Sequence, residues 1–180
     1  NGIGKTTFVR ILAGTLEPEE GYIDRRGELR LSYKPQFISK IEFDGTLAQM
    51  LRYVGVDLSS SFVNTELIKP LRLHPLLDRN VSELSGGELQ RAMIAAALGR
   101  EADLYLLDEP MAYLDVEQRY AVARVVKRLT EERGVATFVV EHDIVAQDFL
   151  ATTLMVFTGT PGVRGHAHSP LGLRKGRNMF

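Results

Sequence analysis

Residues 103 to 107 read Asp-Leu-Tyr-Leu-Leu, continuously apolar from Leu104 on but for one tyrosine, and the next two residues are Asp108 and Glu109. Apolar residues at successive rather than alternate positions belong to a short strand covered on both faces, the condition of a parallel sheet. Parallel neighbours need long crossovers, normally helices. The rest of the chain supplies them. Helical patterns cover Lys5 to Leu16, with Phe8, Ile11 and Leu12 on one side, then Gly86 to Leu98, Asp115 to Arg133 and Ile144 to Ala151. Strand patterns fall around Tyr22-Ile23, at Leu29 to Tyr33, at Val135 to Val140 (a second buried strand) and at Leu154 to Phe157. Strands alternating with helices predict an α/β domain with a mostly parallel sheet.

The 180 residues suit one domain, 1–180, and no internal repeat divides them. From Phe37 to Leu84 the pattern turns helical and more polar, with breaks at Gly55, Pro70 and Pro75. Together with the next helix this predicts a helical subdomain over about 37–98, inserted in the sheet, while 159–180 forms a C-terminal tail. The chain opens at Asn1 inside a glycine-rich stretch, which reads as an excerpt of a longer protein.

Composition removes several classes. Net charge is −1, so bulk electrostatics do not recruit nucleic acid. There is no cysteine, which excludes disulfides and thiolate metal sites within these residues and is compatible with a reducing cytoplasm. No apolar run reaches the length of a membrane-spanning helix, and no signal peptide is visible.

Three segments carry chemistry. Asn1-Gly2-Ile3-Gly4-Lys5-Thr6-Thr7 has the form of the back half of a phosphate-binding P-loop; the first glycine of the full pattern falls two positions before Asn1. Glycines let main-chain N–H groups turn towards phosphate oxygens, and the following helix adds its positive end. Lys5 then reaches β- and γ-phosphates and Thr6 ligates Mg²⁺. A Gly-Lys-Thr at a helix start also serves as a plain cap. Second, the Asp108-Glu109 pair closes a buried strand, where carboxylates are costly without a partner. Mg²⁺ gives Asp108 one, and Glu109 is placed to polarise an attacking water; the plainer alternative is an acidic cap before Pro110. Third, in Leu84-Ser85-Gly86-Gly87-Glu88-Leu89-Gln90-Arg91 the serine and Glu88 form a capping box, with glycine N–H groups at an anion-friendly helix start.

The order P-loop, Gln36, octet, acidic pair, Asp115, His142 resembles the ABC ATPase family over nearly the whole chain. That resemblance implies a P-loop NTPase fold of ABC-type cassette, with helices flanking the sheet and a helical insertion. It implies Mg-ATP hydrolysis by a head-to-tail pair of cassettes, a second one being expected in the same polypeptide. Ser85, Gly86, Gly87 and Glu88 stand where the family's signature meets the γ-phosphate held by the opposite P-loop. Gln36 occupies the Q-loop position, which senses Mg²⁺, Asp115 the D-loop, and His142 the switch position facing the γ-phosphate.

A narrower resemblance rests on Tyr33-Lys34-Pro35-Gln36, Ile68-Lys69-Pro70-Leu71, Tyr113 to Arg119, Val139 to Asp143 and the Gly-rich tail ending Gly176-Arg177-Asn178-Met179-Phe180. These look like the second cassette of the ribosome-recycling ABC ATPases, the RNase L inhibitor family (subfamily E). Implied are a cytoplasmic protein with no membrane partner, ribosomal subunits and recycling factors as partners, and an iron–sulfur cluster only in a separate N-terminal domain. Met111 departs from the small serine usual there. Two rivals share the ATPase motifs: a transporter's ATPase subunit, and a cassette that binds ATP as a switch with little hydrolysis; Glu109 and His142 weigh against the second. The isolated 180 residues are expected to be inactive, since each composite site needs a partner. His166 and His168, two apart, and the basic residues Arg164, Arg174, Lys175 and Arg177 read as a solvated tail rather than a metal or RNA site, His74 as structural, and Ser59-Ser60-Ser61 as a loop or helix start.

Overall fold

The computed structural model describes residues 3–24, 29–36 and 43–177. Two compact units divide the chain, one formed by Asn1–Asp24 with His142–Phe180 and the other by Arg25–Glu141.

The larger unit holds a three-stranded sheet, β1 (Leu31–Lys34), β2 (Leu104–Asp108) and β3 (Ala136–Val140), all parallel, with β2 central. The register pairs Lys34 with Leu107 and Asp108 with Val140, so the three strands end together. Tyr105, Leu106 and Leu107 are buried, as a central strand covered on both faces requires. β3 is only half-buried, contrary to the expectation of a second buried strand; β2 is its one neighbour among the described residues.

Helices supply the crossovers. Between β1 and β2 the chain forms α2 (Leu47–Tyr53), α3 (Ser61–Val63) running into a π-turn at Asn64–Ile68, two short 3-10 turns, and α4 (Gly86–Leu98). Thr46 and Gln49 make a capping box on α2, and Ser60 caps α3, the helix start expected of the serine cluster. α4 packs small side chains, with Ala92, Ile94, Ala95 and Leu98 fully buried, which lets it lie close to β1; Ser32 donates to the Ala97 carbonyl at 2.6 Å. Between β2 and β3 runs α5 (Val116–Arg133), capped by Asp115 and ended by Gly134 in the left-handed region (φ 61°). Its predicted apolar face, Val122, Val125, Val126 and Leu129, is buried.

The smaller unit begins with α1 (Lys5–Leu12). Val9 is its one buried side chain; the expected face of Phe8, Ile11 and Leu12 is half-buried. The predicted strand at Tyr22-Ile23 is absent: no described ladder reaches these residues, and Tyr22 is exposed. After α6 (Ile144–Leu150), the strand expected at Leu154 to Phe157 is two separate pieces. β4 (Thr153–Leu154) pairs with β7 (Leu171–Gly172), and β5 (Phe157–Thr160) with β6 (Arg164–Ala167), both antiparallel. α7 (Leu173–Arg177) is the last described element. The tail is thus a folded hairpin with an exposed β6, and Phe8 of α1 meets Phe157 of β5 edge-on.

Candidate functional site

In the smaller unit, the site begins where Gly4 turns the chain into α1 with φ 93°, a conformation costly for any residue with a Cβ. No side chain caps this helix start, and the space a Cβ at Gly4 would occupy is open. Lys5 is the first helical residue, followed by Thr6 and the exposed Thr7; Asn1 and Gly2 lie outside the described residues. The Lys5 ammonium sits 3.1 Å from Nδ1 of His142, 137 positions along the chain. An ammonium donates only to an unprotonated ring nitrogen, so the contact requires Nδ1 to act as acceptor. Two groups that the sequence aims at one phosphate are therefore brought together. The hairpin tail backs this loop. A Cβ on Gly165 would come within 2.1 Å of the Ile3 carbonyl, so β6 lies directly against the residue before Gly4.

In the larger unit, the polar residues gather at the carboxyl ends of the strands, where open α/β sheets place their ligands. Asp108 ends β2 with no exposure. Glu109 takes the left-handed region (φ 47°), uncommon for a residue with a Cβ, and it is held there by hydrogen bonds at both its main-chain N–H and its carbonyl. Its N–H donates to the Val140 carbonyl at 2.9 Å; its carbonyl accepts from Gln90 Nε2 at 2.9 Å and from Lys34 Nζ at 3.3 Å. Lys34 also donates to the Asp108 carbonyl at 2.9 Å. Burial pushes the Lys34 ammonium down to about 8, against the opposing pull of the Asp108, Glu109 and Glu141 carboxylates. Gln36 follows two residues after β1, half-buried.

The octet forms the start of α4. Ser85 accepts from the Glu88 N–H at 3.3 Å and the Glu88 carboxylate accepts from the Ser85 N–H at 2.8 Å, the capping box expected from the sequence. That second bond, ahead of the attraction of Arg79 at 3.2 Å, holds the Glu88 carboxyl below its ordinary value. Nothing stands within 4 Å of a Cβ built on Gly86, whereas one on Gly87 would meet the Tyr113 carbonyl at 3.1 Å. The octet therefore packs on the turn leading to Asp115, whose carboxylate caps α5 by accepting from the Gln118 N–H at 2.8 Å. Met111 is buried in that turn.

Lys34 and Gln90 are the residues that sequence reasoning passed over. Lys34 belongs to the stretch Tyr33-Lys34-Pro35-Gln36 and Gln90 to the octet, but nothing in residue order shows that each reaches the carbonyl of Glu109. Asp108 and Gln36 in the larger unit, and Thr6 in the smaller, each offer an oxygen donor of the type that suits Mg²⁺, and the open space at Gly4 and at Gly86 suits phosphate oxygens. Among the described residues no three His, Asp or Glu side chains cluster as a metal site; His166 and His168 stack edge-on, and His168 bonds Thr158. No helix is long and apolar enough to cross a membrane.

A family model described as ABC transporter matches residues 1–112. An ABC transporter ATP-binding protein of Methanocaldococcus jannaschii is 50% identical over all of this chain, which spans 30% of it. ABC transporter E family member 3 of Arabidopsis thaliana is 36% identical over 79% of the chain and 81% of its own length. A crystal structure of archaeal ribosome recycling factor in complex with an archaeal ribosomal stalk protein superposes with a TM-score of 0.94 and 53% identity, over 99% of this chain and 34% of that one. The chain thus spans about a third of the longer proteins it matches.

Proposed function

We propose that this chain, which belongs to the ABC ATPase family and within it to the E family, is one cassette of an ATP-driven two-cassette clamp that separates ribosomal subunits. The observation that carries the ATPase reading is the 3.1 Å contact between Lys5 and His142. Both side chains stand at an uncapped helix start, which supports reading them as ligands of one γ-phosphate.

The residues divide the work as follows. The main-chain N–H groups of Asn1, Gly2, Gly4 and Thr7 cradle phosphate oxygens, and Lys5 neutralises the β- and γ-phosphates. Thr6, Gln36 and Asp108 hold Mg²⁺, which when bound offsets phosphoryl charge. Glu109 orients and polarises the attacking water from a main chain fixed by Lys34, Gln90 and Val140. His142 contacts the γ-phosphate. Ser85, Gly86 and Gly87, with Glu88 holding the serine in place, present the helix start to a nucleotide on the sister cassette, and Asp115 orders the intervening turn.

Closure is then a population shift. The octet reaches the opposite γ-phosphate only in the closed clamp, so ATP favours that state and hydrolysis releases it. The helical segment, about 37–98, transmits the movement. The target follows from likeness over the whole chain to an archaeal ribosome recycling factor, since the ATPase motifs fix the reaction and leave the target open. The protein acts in the cytoplasm with ribosomal subunits and recycling factors as partners.

The test is sedimentation of post-termination ribosomes with ATP and the full-length protein. Separated subunits are expected. Intact ribosomes throughout, with a membrane protein co-purifying, would transfer the cassette to a transporter.

A further inference from the structure

A cleft of about 680 Å³ lies between the segment 65–72 and one face of α5. Glu117, Ala121, Arg124 and Arg128 recur at helical spacing along that face. Two ion pairs cross the cleft, one near each end. Arg72, held in the left-handed region (φ 54°), reaches Glu117, and Arg128 reaches the buried Glu66 at 2.9 Å. Both carboxylates of the lining are thereby matched. Lys69 and Arg124, both exposed, form no ion pair among the described residues, and Arg91 is the third cation outside those two pairs.

Arg91 is the most informative of them. It is 9% exposed, and its guanidinium donates to two main-chain carbonyls, Leu71 at 2.8 Å and Gly87 at 3.4 Å. Burial lowers its proton affinity, while the Glu88 and Asp115 carboxylates pull the other way. The chain as a whole carries net charge −1, so this local excess of positive charge is not a general property of its surface. The floor is apolar, built from Leu71 and Val125, both buried, with Pro70 and Ala121 beside them.

We propose that this cleft docks an acidic peptide segment of a partner protein, with an apolar side chain on the Leu71–Val125 floor and carboxylates on Lys69, Arg91 and Arg124. The concavity and the apolar floor favour a side chain over a nucleic-acid backbone, whose phosphates are met by exposed cations without an apolar seat. Electrostatic complementarity sets the choice of partner, and the floor adds the burial that holds it. Arg91 lies one turn from Gly87 on α4, so an occupant touches the helix that carries the octet.

The test uses the full-length protein and a fluorescently labelled short peptide with Phe and Leu set among Glu and Asp, read by anisotropy. Three competitors accompany it: the same peptide with Gln and Asn for the acids, one with Ser for Phe and Leu, and a single-stranded RNA oligonucleotide. The acidic peptide is expected to bind saturably, with affinity falling as salt rises. The double variant Lys69→Glu/Arg124→Glu, at two exposed positions, should weaken it about tenfold or more, and Lys69→Gln/Arg124→Gln by less. Basal ATP hydrolysis should be unchanged in both, which separates this outcome from any failure of the ATPase reading. Absence of binding, equal binding of the amide peptide, or unchanged binding by both variants overturns the proposal. Displacement of the peptide by lower concentrations of RNA would overturn it in favour of a nucleic-acid cleft.

Discussion

The Lys34 ammonium donates to the Asp108 carbonyl at 2.9 Å from a position with no solvent exposure, tying the end of β1 to the end of β2. The same ammonium reaches the Glu109 carbonyl. A charge is thus used as a main-chain clamp beneath the two acids rather than as a ligand of its own. Lys34→Met keeps the volume and removes the clamp. The buried cation's desolvation cost disappears with its bonds, so net stability should change by no more than about 2 kcal/mol. Glu109, with one anchor gone, should no longer hold its left-handed turn tightly. A displacement on the order of 1 Å can reduce a rate about a hundredfold. Steady-state kinetics on the full-length protein should therefore show kcat falling about tenfold or more with little change in ATP affinity. A variant whose affinity and kcat fall together would place Lys34 in binding instead.

Glu109 and the loop lysine Lys5 should separate in the same assay. Glu109→Gln keeps shape and removes the carboxylate proposed to polarise water, so hydrolysis should fall by about 10²–10⁴ while ATP binding persists. Lys5→Ala removes the partner of His142 and the charge proposed to face the phosphates, so binding itself should weaken. Nucleotide titration beside single-turnover hydrolysis reads both. Equal loss of binding in the two variants would remove Glu109 from the chemical step.

The architecture was legible because its signals are local. Successive apolar residues at 104–107 mark a central strand, Ser85 and Glu88 mark a helix start by their spacing, and Val122 to Leu129 mark a buried face. What could not be read depends on pairing between distant segments. β3 shares the apolar look of β2, but its burial follows from having one neighbour rather than two. The stretch 154–157 looks like one strand and is divided between two partners. The site shows the same limit. The order of Lys5, Asp108, Glu109 and His142 was visible, whereas the bonds from Lys34 and Gln90 to a main-chain carbonyl leave no trace in residue order.

Acid should weaken α4 through Glu88. Its carboxyl is held low chiefly by the Ser85 N–H, so the folded state releases the proton more readily than the unfolded chain. Such a group adds stability that is complete above the ordinary carboxylate range and is lost as pH falls through the folded value. Glu88→Gln should lower stability near neutrality and flatten its fall in that acid window. Ser85→Ala should cost about 1 kcal/mol at neutral pH through loss of the cap. Denaturant titrations at several pH values on each variant provide the measurement. An unchanged acid slope in Glu88→Gln would show that the box adds no pH-dependent stability.

Gly165 provides the last test, because its role is steric and entirely main-chain. A Cβ there would approach the Ile3 carbonyl to 2.1 Å, and that neighbour is backbone, which cannot rotate aside. Gly165→Ala must therefore push β6 and the residue before Gly4 apart. Overpacking of this kind costs about 1–3 kcal/mol, and the displaced partner is the loop that turns Lys5 into α1. ATP affinity of the full-length protein should fall about tenfold, with the thermal midpoint lowered by a few degrees at most. Gly172→Ala is the matched control, since nothing lies within 4 Å of its Cβ position. If Gly165→Ala binds ATP as tightly as Gly172→Ala does, the hairpin merely rests on the loop and does not set its shape.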